Sequence, residues 1–402
     1  MAKDRSPFSP GRPVPLELFV GRQQEISQIL RAAGQVAAGK QENVFVTGEY
    51  GIGKSSLAAY VRFIAEKDHR LAGFHVFLGG AADVEDMAAH VISRMVEQVY
   101  RDTTFEKMKE FLRKYVQELT IFGAKVNLEA VRKDAPAVAH NFLPFLRQAY
   151  GCLRDDWKGL MLILDDLNGI TATPRFAHLL KSVVDEIATS GHSLPLLLVL
   201  TGVPERREEI LQHQRSVERI FDIAEILPLF DESVREFFQR AFASVDMQID
   251  ADALEMLARY SGGLPKLMHE LGDATFWMAK SATVTRQDAF LGVVRAADNV
   301  GHKYFDPVRR ALRSEDYRSI LKKIGGQVSL HDFDTSFLRK TVAQGLTEAE
   351  KGKLDNFLQR MKRLSALRPG EKPGEWVFPN RLIRVYLWME SALREEKGPA
   401  GT

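Results

Sequence analysis

Four short runs rich in apolar and β-branched residues punctuate the first half of the chain: residues 43–47 (NVFVT), 74–78 (FHVFL), 160–164 (LMLIL) and 196–200 (LLLVL). A strand covered on both faces is apolar on both, so such runs predict strands of a buried parallel sheet rather than half-exposed antiparallel ones. Between them the period changes. Over residues 54–65, Leu57, Ala58, Val61 and Ile64 fall on one face of a helix, and a strand, a glycine loop and a helix follow in that order. Strands alternating with helical stretches predict an α/β core. Residues 83–153 read as mostly helical, interrupted at 119–128 (LTIFGAKVNL), whose alternation suits a small hairpin.

From residue 231 to about 299 the pattern is helical throughout: Val234, Phe237, Phe238, Ala241 and Phe242, then Ala253, Leu254, Leu257 and Tyr260, then 267–278. Gly262, Gly263 and Pro265 break that array, and a proline is tolerated at the first helical position, so a helix should begin near Pro265. The remainder predicts a helix over 314–324, a turn at Gly325–Gly326, a short element from Ser329, a helix over 347–367, a turn over 369–374 and a strand at 376–378. Helices followed by a basic helix and a Pro/Gly/Lys ribbon suggest a winged helix. The expected organisation is an arm over 1–15, a core over 16–230, a helical lid over 231–300 and a winged-helix domain over 301–402.

At ~150 residues per domain, 402 residues suggest two or three domains. With 45% hydrophobic and 27% charged residues the chain falls outside the disordered, collagen-like and coiled-coil classes. Its single cysteine, Cys152, closes no intrachain disulfide and builds no Cys-rich metal site, which excludes an extracellular stapled fold. The longest apolar runs reach about half of the ~20 residues a membrane helix needs. The polar start, with Pro7, Pro10, Pro13 and Pro15, lacks a secretory apolar stretch and reads as an extended, mobile arm, so a cytoplasmic protein with no membrane partner is expected. Charge is uneven: residues 301–402 hold 20 Lys and Arg against 13 Asp and Glu, a local +7 that leaves −5 for the first 300. That asymmetry points to a polyanion partner for the last hundred residues, although a solvated basic surface has the same signature.

The strongest chemical signal is Gly48-Glu49-Tyr50-Gly51-Ile52-Gly53-Lys54-Ser55, which matches G-x-x-x-x-G-K-[ST] and is followed by Ser56. It sits after a strand and opens a helix, where backbone N–H groups and the helix dipole face phosphates. The pattern assigns Lys54 to the β- and γ-phosphates of ATP and Ser55 to Mg²⁺. Asp165 and Asp166 end an apolar strand further on, Asp165 in the metal position and Asp166 in the position that orients water as a base. Thr201, ending the next apolar run, suits contact with the attacking water or the γ-phosphate, or is an ordinary strand-end threonine. Arg206, Arg207, Arg215 and Arg219 follow as candidates for an arginine supplied to the γ-phosphate from an adjacent subunit. The histidines form no H-E-x-x-H or close His/Cys cluster, and the phenylalanines lie at core spacing rather than in a base-stacking array.

Taken in order, Leu18-Phe19-Val20-Gly21-Arg22, GEYGIGKS, LMLILDD, LLLVLTG, Ser216-Val217-Glu218-Arg219-Ile220-Phe221 and Ser261-Gly262-Gly263-Leu264-Pro265 resemble the AAA+/STAND branch of P-loop ATPases. Within it the chain is similar to bacterial and archaeal ATP-binding proteins related to origin-recognition initiators, over almost its whole length. The resemblance implies a P-loop NTPase parallel sheet with an all-α lid and a C-terminal winged helix, and ATP with Mg²⁺ as cofactors. It implies that Val20, Gly21 and Arg22 pack near the adenine, that Arg219 is the arginine finger, and that Pro265 shapes the nucleotide pocket, with Lys266 in place of a sensor arginine. Many such ATPases carry Glu at the second acidic position, so Asp166, which reaches less far, points to slow hydrolysis.

Two roles follow from the resemblance. One is an ATP-driven switch, homo-oligomeric, that engages double-stranded DNA through the winged helix, with the recognition helix ending at 354–367 and phosphate contacts from Lys351, Lys353, Arg360, Lys362, Arg363, Arg368, Lys372, Arg381 and Arg384. The other is a STAND-like signalling scaffold that binds a protein partner or effector instead, its cues being Gly263–Pro265 and the Asp in place of Glu.

Overall fold

The computed structural model describes residues 4–101, 106–113, 135–191, 193–326 and 335–396. They fall into two compact units, Pro13–Leu227 and, joined in space, Met1–Arg12 with Pro228–Thr402. The hairpin expected at 119–128 and the element expected from Ser329 lie outside the described residues, apart from the continuation of the latter after 334.

The first unit is built on a parallel five-stranded sheet: β1 Glu42–Gly48, β2 Leu71–Phe77, β3 Gly159–Asp165, β4 Leu196–Gly202 and β5 Asp222–Ile226, in spatial order β2-β3-β4-β1-β5. Every residue of β3 and β4 is buried, as expected for strands packed on both faces. Helices Val84–Arg101, Phe142–Leu153 and Pro174–Thr189 contribute Ile92, Phe145 and Phe176 to the cluster that also holds Phe74, Leu162 and Leu198. The sequence pattern predicted the first four strands; β5 was not foreseen. It buries only Ala224 and Ile226, so it lacks the apolar run that marks the other four.

Helix α1 spans Gln23–Ala37 and α2 spans Lys54–His69. The inward face of α2 carries Leu57, Ala58, Val61 and Ala65, with Ala65 where the periodicity placed Ile64.

In the second unit, helices Asp231–Ala243, Ala251–Ser261, Pro265–Met278 and Arg286–Val300 follow one another, with Pro265 at the first helical turn as its ring chemistry demands. The arm before residue 13 is held rather than free at Phe8, which is 5% exposed and lies 5.1 Å from Phe242 and 5.9 Å from Phe237, ring centre to ring centre. A side chain at Gly272 would meet the Phe8 ring at 2.2 Å, so only glycine admits this approach.

The C-terminal part runs helix Glu315–Gly326, β6 Ser336–Leu338, helices Arg339–Gln344 and Glu348–Arg363, β7 Arg368–Pro369, β8 Glu375–Val377 and helix Arg381–Glu396. The three strands form an antiparallel sheet in the order β6-β8-β7. Gly325 and Gly326 close the first of these helices instead of forming the expected turn. Thr347 and Glu350 make a capping box that starts Glu348–Arg363. No described helix is long and apolar enough to cross a membrane.

Candidate active site

The turn between β1 and α2 is the starting point. Gly51 and Gly53 take φ values of +80° and +100°, a left-handed backbone that turns the chain back on itself just before Lys54 opens α2. Successive N–H groups in such a turn make an anion-binding concavity, reinforced by the helix N-terminus. The Lys54 ammonium lies inside the loop and donates to the carbonyls of Gly48 at 3.0 Å and Glu49 at 2.9 Å. Burial lowers its pKa, against the opposing pull of Asp165, Asp166, Glu205 and Glu49. Tyr50, at the loop's tip, is 78% exposed.

Strand register brings the acidic pair to the same place. Leu164 on β3 pairs with Leu200 on β4, and β4 in turn pairs with β1, with Thr201 opposite Val46. The tip of β4 therefore stands between the loop strand and the strand that ends in Asp165. Asp165 is buried, its Oδ1 accepts a hydrogen bond from the Thr201 hydroxyl, and its Oδ2 lies 2.8 Å from His75 Nε2. Burial works to raise the Asp165 pKa, but hydrogen bonds from His75, Thr201 and Ser55 and the charge of His75 outweigh it and hold the carboxyl below its ordinary value.

Asp166 has the opposite setting. Its φ of +63° swings the side chain out of the strand line; Asp tolerates this region better than most residues. Its N–H donates to Thr201 Oγ at 3.2 Å, and its Oδ1 accepts from Asn168 Nδ2 at 2.5 Å. Partial burial and the adjacent Asp165 charge raise its pKa, against Lys54, the Asn168 hydrogen bond and Arg206. One carboxylate is kept ionised and its neighbour is eased toward accepting a proton.

Thr201 sits where the sequence placed it, at a strand tip beside the site, yet its hydroxyl proton is committed to Asp165 and its lone pair to the Asp166 N–H. It organises the acidic pair. Arg22, also with positive φ, donates to the carbonyl of Leu227 and to that of Ile52 at 3.2 Å, bracing the loop from the side of Val20 and Gly21. Ser56 Oγ accepts the Val14 N–H at 3.2 Å. Arg219 ends a short 3-10 turn and is exposed, whereas Arg206 is paired with Glu209 at 2.7 Å and Arg207 with Glu208 at 3.3 Å. Pro265 and Lys266 belong to the other unit, where the Lys266 ammonium lies 3.5 Å from the centre of the Tyr304 ring.

The donor set suits Mg²⁺ with a nucleotide. Ser55 and Asp165 would offer hard oxygen ligands, and Mg²⁺ is ordinarily held by one or two carboxylates together with substrate phosphates rather than by an all-protein cage. No group of three or more His, Cys, Asp or Glu that could hold a metal occurs among the described residues. Sequence reasoning missed His75. His75 lies inside an apolar run with no motif around it, and only the β2–β3 register shows its reach to Asp165.

Comparison with known proteins bears on the fold. The profile of the AAA ATPase domain matches residues 18–200. The Aeropyrum pernix ORC2 protein, solved in ADPNP–ADP complexes, superimposes with a TM-score of 0.58 at 12% identity, covering 99% of both chains. A Walker-type ATPase of Pyrococcus abyssi gives 0.51 at 14% identity, covering 92% of this chain and 96% of its own. At such identities the likeness is one of fold. No curated protein sequence matches the chain.

Proposed function

We propose that this chain, whose residues 18–200 match the AAA ATPase domain profile, binds ATP and ADP with Mg²⁺ at Gly48–Ser56 and hydrolyses ATP slowly, as a cytoplasmic switch of the AAA+/STAND kind. The observation that carries the reading is the strand register, which sets the loop after β1 and the buried Asp165 at the end of β3 on either side of the β4 tip, where Thr201 donates to Asp165. In this reading Lys54 neutralises the β- and γ-phosphates, Ser55 and Asp165 hold the metal, and Asp166 orients and deprotonates water. Thr201 keeps the two acids in place. Bound Mg²⁺ supplies charge stabilisation as the phosphoryl group leaves. Arg219 reaches the γ-phosphate of a neighbouring copy, and Val20, Gly21 and Arg22 frame the base. Titration with a fluorescent ATP analogue tests the core of this reading. Lys54→Ala should weaken binding about tenfold to a hundredfold, the range for losing a charge-assisted contact; unchanged affinity in a folded variant would refute it.

The nucleotide state is proposed to govern self-association and DNA engagement. Support for DNA comes from the order helix, strand, helix, helix, ribbon over Glu315–Val377, which is that of a winged helix, and from exposed Lys362, Arg363, Arg368 and Lys372. Two of the nine basic residues over 351–386 are spent nearby: Lys351 pairs with Glu348 at 2.6 Å and Lys353 with Asp316. Arg384, 6% exposed, lies over Phe337 and Phe378 and belongs to packing, not to a DNA face. A duplex titration at low salt should give binding that Lys362→Glu with Arg363→Glu abolishes and that falls with rising salt. The second reading, a signalling scaffold docked on a protein partner, draws on Asp166 in the base position. It gains if no duplex is bound while addition of ATP alone changes the oligomeric state.

A further inference from the structure

A histidine in the middle of a buried strand needs a partner, and His75 has a specific one. It is 5% exposed on β2, its Nε2 lies 2.8 Å from Asp165 Oδ2, and its ring stacks on Phe77 at 4.6 Å with 20° between the planes. In the β2–β3 register His75 faces Ile163 and Phe77 faces Asp165, so the imidazole reaches diagonally along the sheet to the carboxylate. The other oxygen, Oδ1, is taken by Thr201 from β4 on the opposite side. Asp165 is thus gripped from both neighbouring strands. An ionised carboxylate only accepts hydrogen bonds, so Nε2 carries the proton in this pair.

We infer that His75 is a positioning residue for the metal-binding carboxylate: its Nε2–H, held in orientation by Phe77, fixes the rotation of Asp165 toward Ser55 and so sets the affinity for the Mg²⁺ that accompanies nucleotide. This rests on the proposed reading of Asp165 as the metal-holding acid. A carboxylate gripped through only one oxygen gains a torsional freedom that the metal must then remove. Hydrogen bonds to a metal's ligands typically contribute about 10- to 100-fold in metal affinity, so the effect should appear in the Mg²⁺ requirement and not in the contacts that the loop N–H groups make with phosphate.

The test uses the full chain and a fluorescent ATP analogue, titrated in EDTA and at a series of Mg²⁺ concentrations. His75→Leu should leave binding in EDTA within about twofold of wild type while raising the Mg²⁺ concentration for half-maximal tightening about tenfold or more. His75→Gln, which restores an N–H donor, should recover most of that loss. An unchanged Mg²⁺ requirement in folded His75→Leu, or an equal loss of binding in EDTA, overturns the inference. So does failure of His75→Gln to recover. Long-range ¹H–¹⁵N correlation of histidine-labelled wild type reads the tautomer directly, even where His75→Leu fails to fold: a protonated Nε2 is expected, and an Nε2 without a proton overturns the inference. Wild type that binds no nucleotide with or without Mg²⁺ refutes the proposed function instead, and the tautomer measurement still decides whether His75 grips Asp165.

Discussion

Asp165 and Asp166 are neighbours in sequence and opposites in setting. Asp165 receives hydrogen bonds on both oxygens and is held ionised, whereas Asp166 turns outward through a left-handed backbone and is pushed toward protonation. An acid that stays charged suits a cation, and one whose affinity for a proton is raised suits proton transfer. Asp166→Asn should therefore keep nucleotide affinity and lower single-turnover hydrolysis by about 10²- to 10⁴-fold, the usual contribution of a general base. If hydrolysis persists at the wild-type rate, Asp166 is not the base. Arg219 makes a separate claim. It is exposed at the end of its 3-10 turn, so Arg219→Ala should leave binding by the isolated chain unchanged, yet cut turnover at high protein concentration by about 10³-fold if it serves a neighbouring copy. A concentration-independent rate, equal in variant and wild type, would remove that role.

Elements differ in how openly the sequence declares them. β1 to β4 are buried on both faces and stand out as apolar runs, and the loop at Gly48–Ser55 declares itself because glycines and Lys54 recur at fixed spacing. β5 buries only Ala224 and Ile226, so its composition carries little trace of it. The Thr201 and His75 contacts with Asp165 depend on strand order and register, which no local window contains. Helix Pro265–Met278 carries His269, which no motif in the sequence singles out. Burial pushes its pKa down to about 4 from 6.5, and its Nδ1 accepts the Ser9 N–H at 3.2 Å, which a protonated ring cannot do. The unfolded chain binds a proton below pH 6.5 that the folded chain refuses until about pH 4, so stability is full above that window and falls as pH drops through it. At 1.36 kcal/mol per unit, the loss should be about 2 kcal/mol by pH 5. Urea unfolding at pH 7.5 and pH 5, monitored in the unit that holds this helix, measures it, and His269→Gln should flatten the slope.

At the scale of the whole molecule, the chain passes twice between its two compact units, once between Arg12 and Pro13 and once between Leu227 and Pro228. The first dozen residues are therefore covalently continuous with the Pro13–Leu227 unit while belonging, by packing, to the other. Phe8 makes that membership concrete, since its ring fills the space among Phe237, Phe238, Phe242 and His269 that Gly272 leaves open. Truncating a buried phenylalanine ordinarily costs about 3–5 kcal/mol. In Phe8→Ala that loss should fall on the unit that contains the ring, because each unit has its own core and opens as its own cooperative body. Native-state hydrogen exchange separates the alternatives. Amides of Asp231–Ala243 and Pro265–Met278 should exchange about 10²- to 10³-fold faster, while those of β1, β3 and β4 keep their protection and nucleotide binding at Gly48–Ser56 is unchanged. Equal acceleration in both units would mean that they unfold as one body, and no acceleration in either would mean that Phe8 carries no part of the second core.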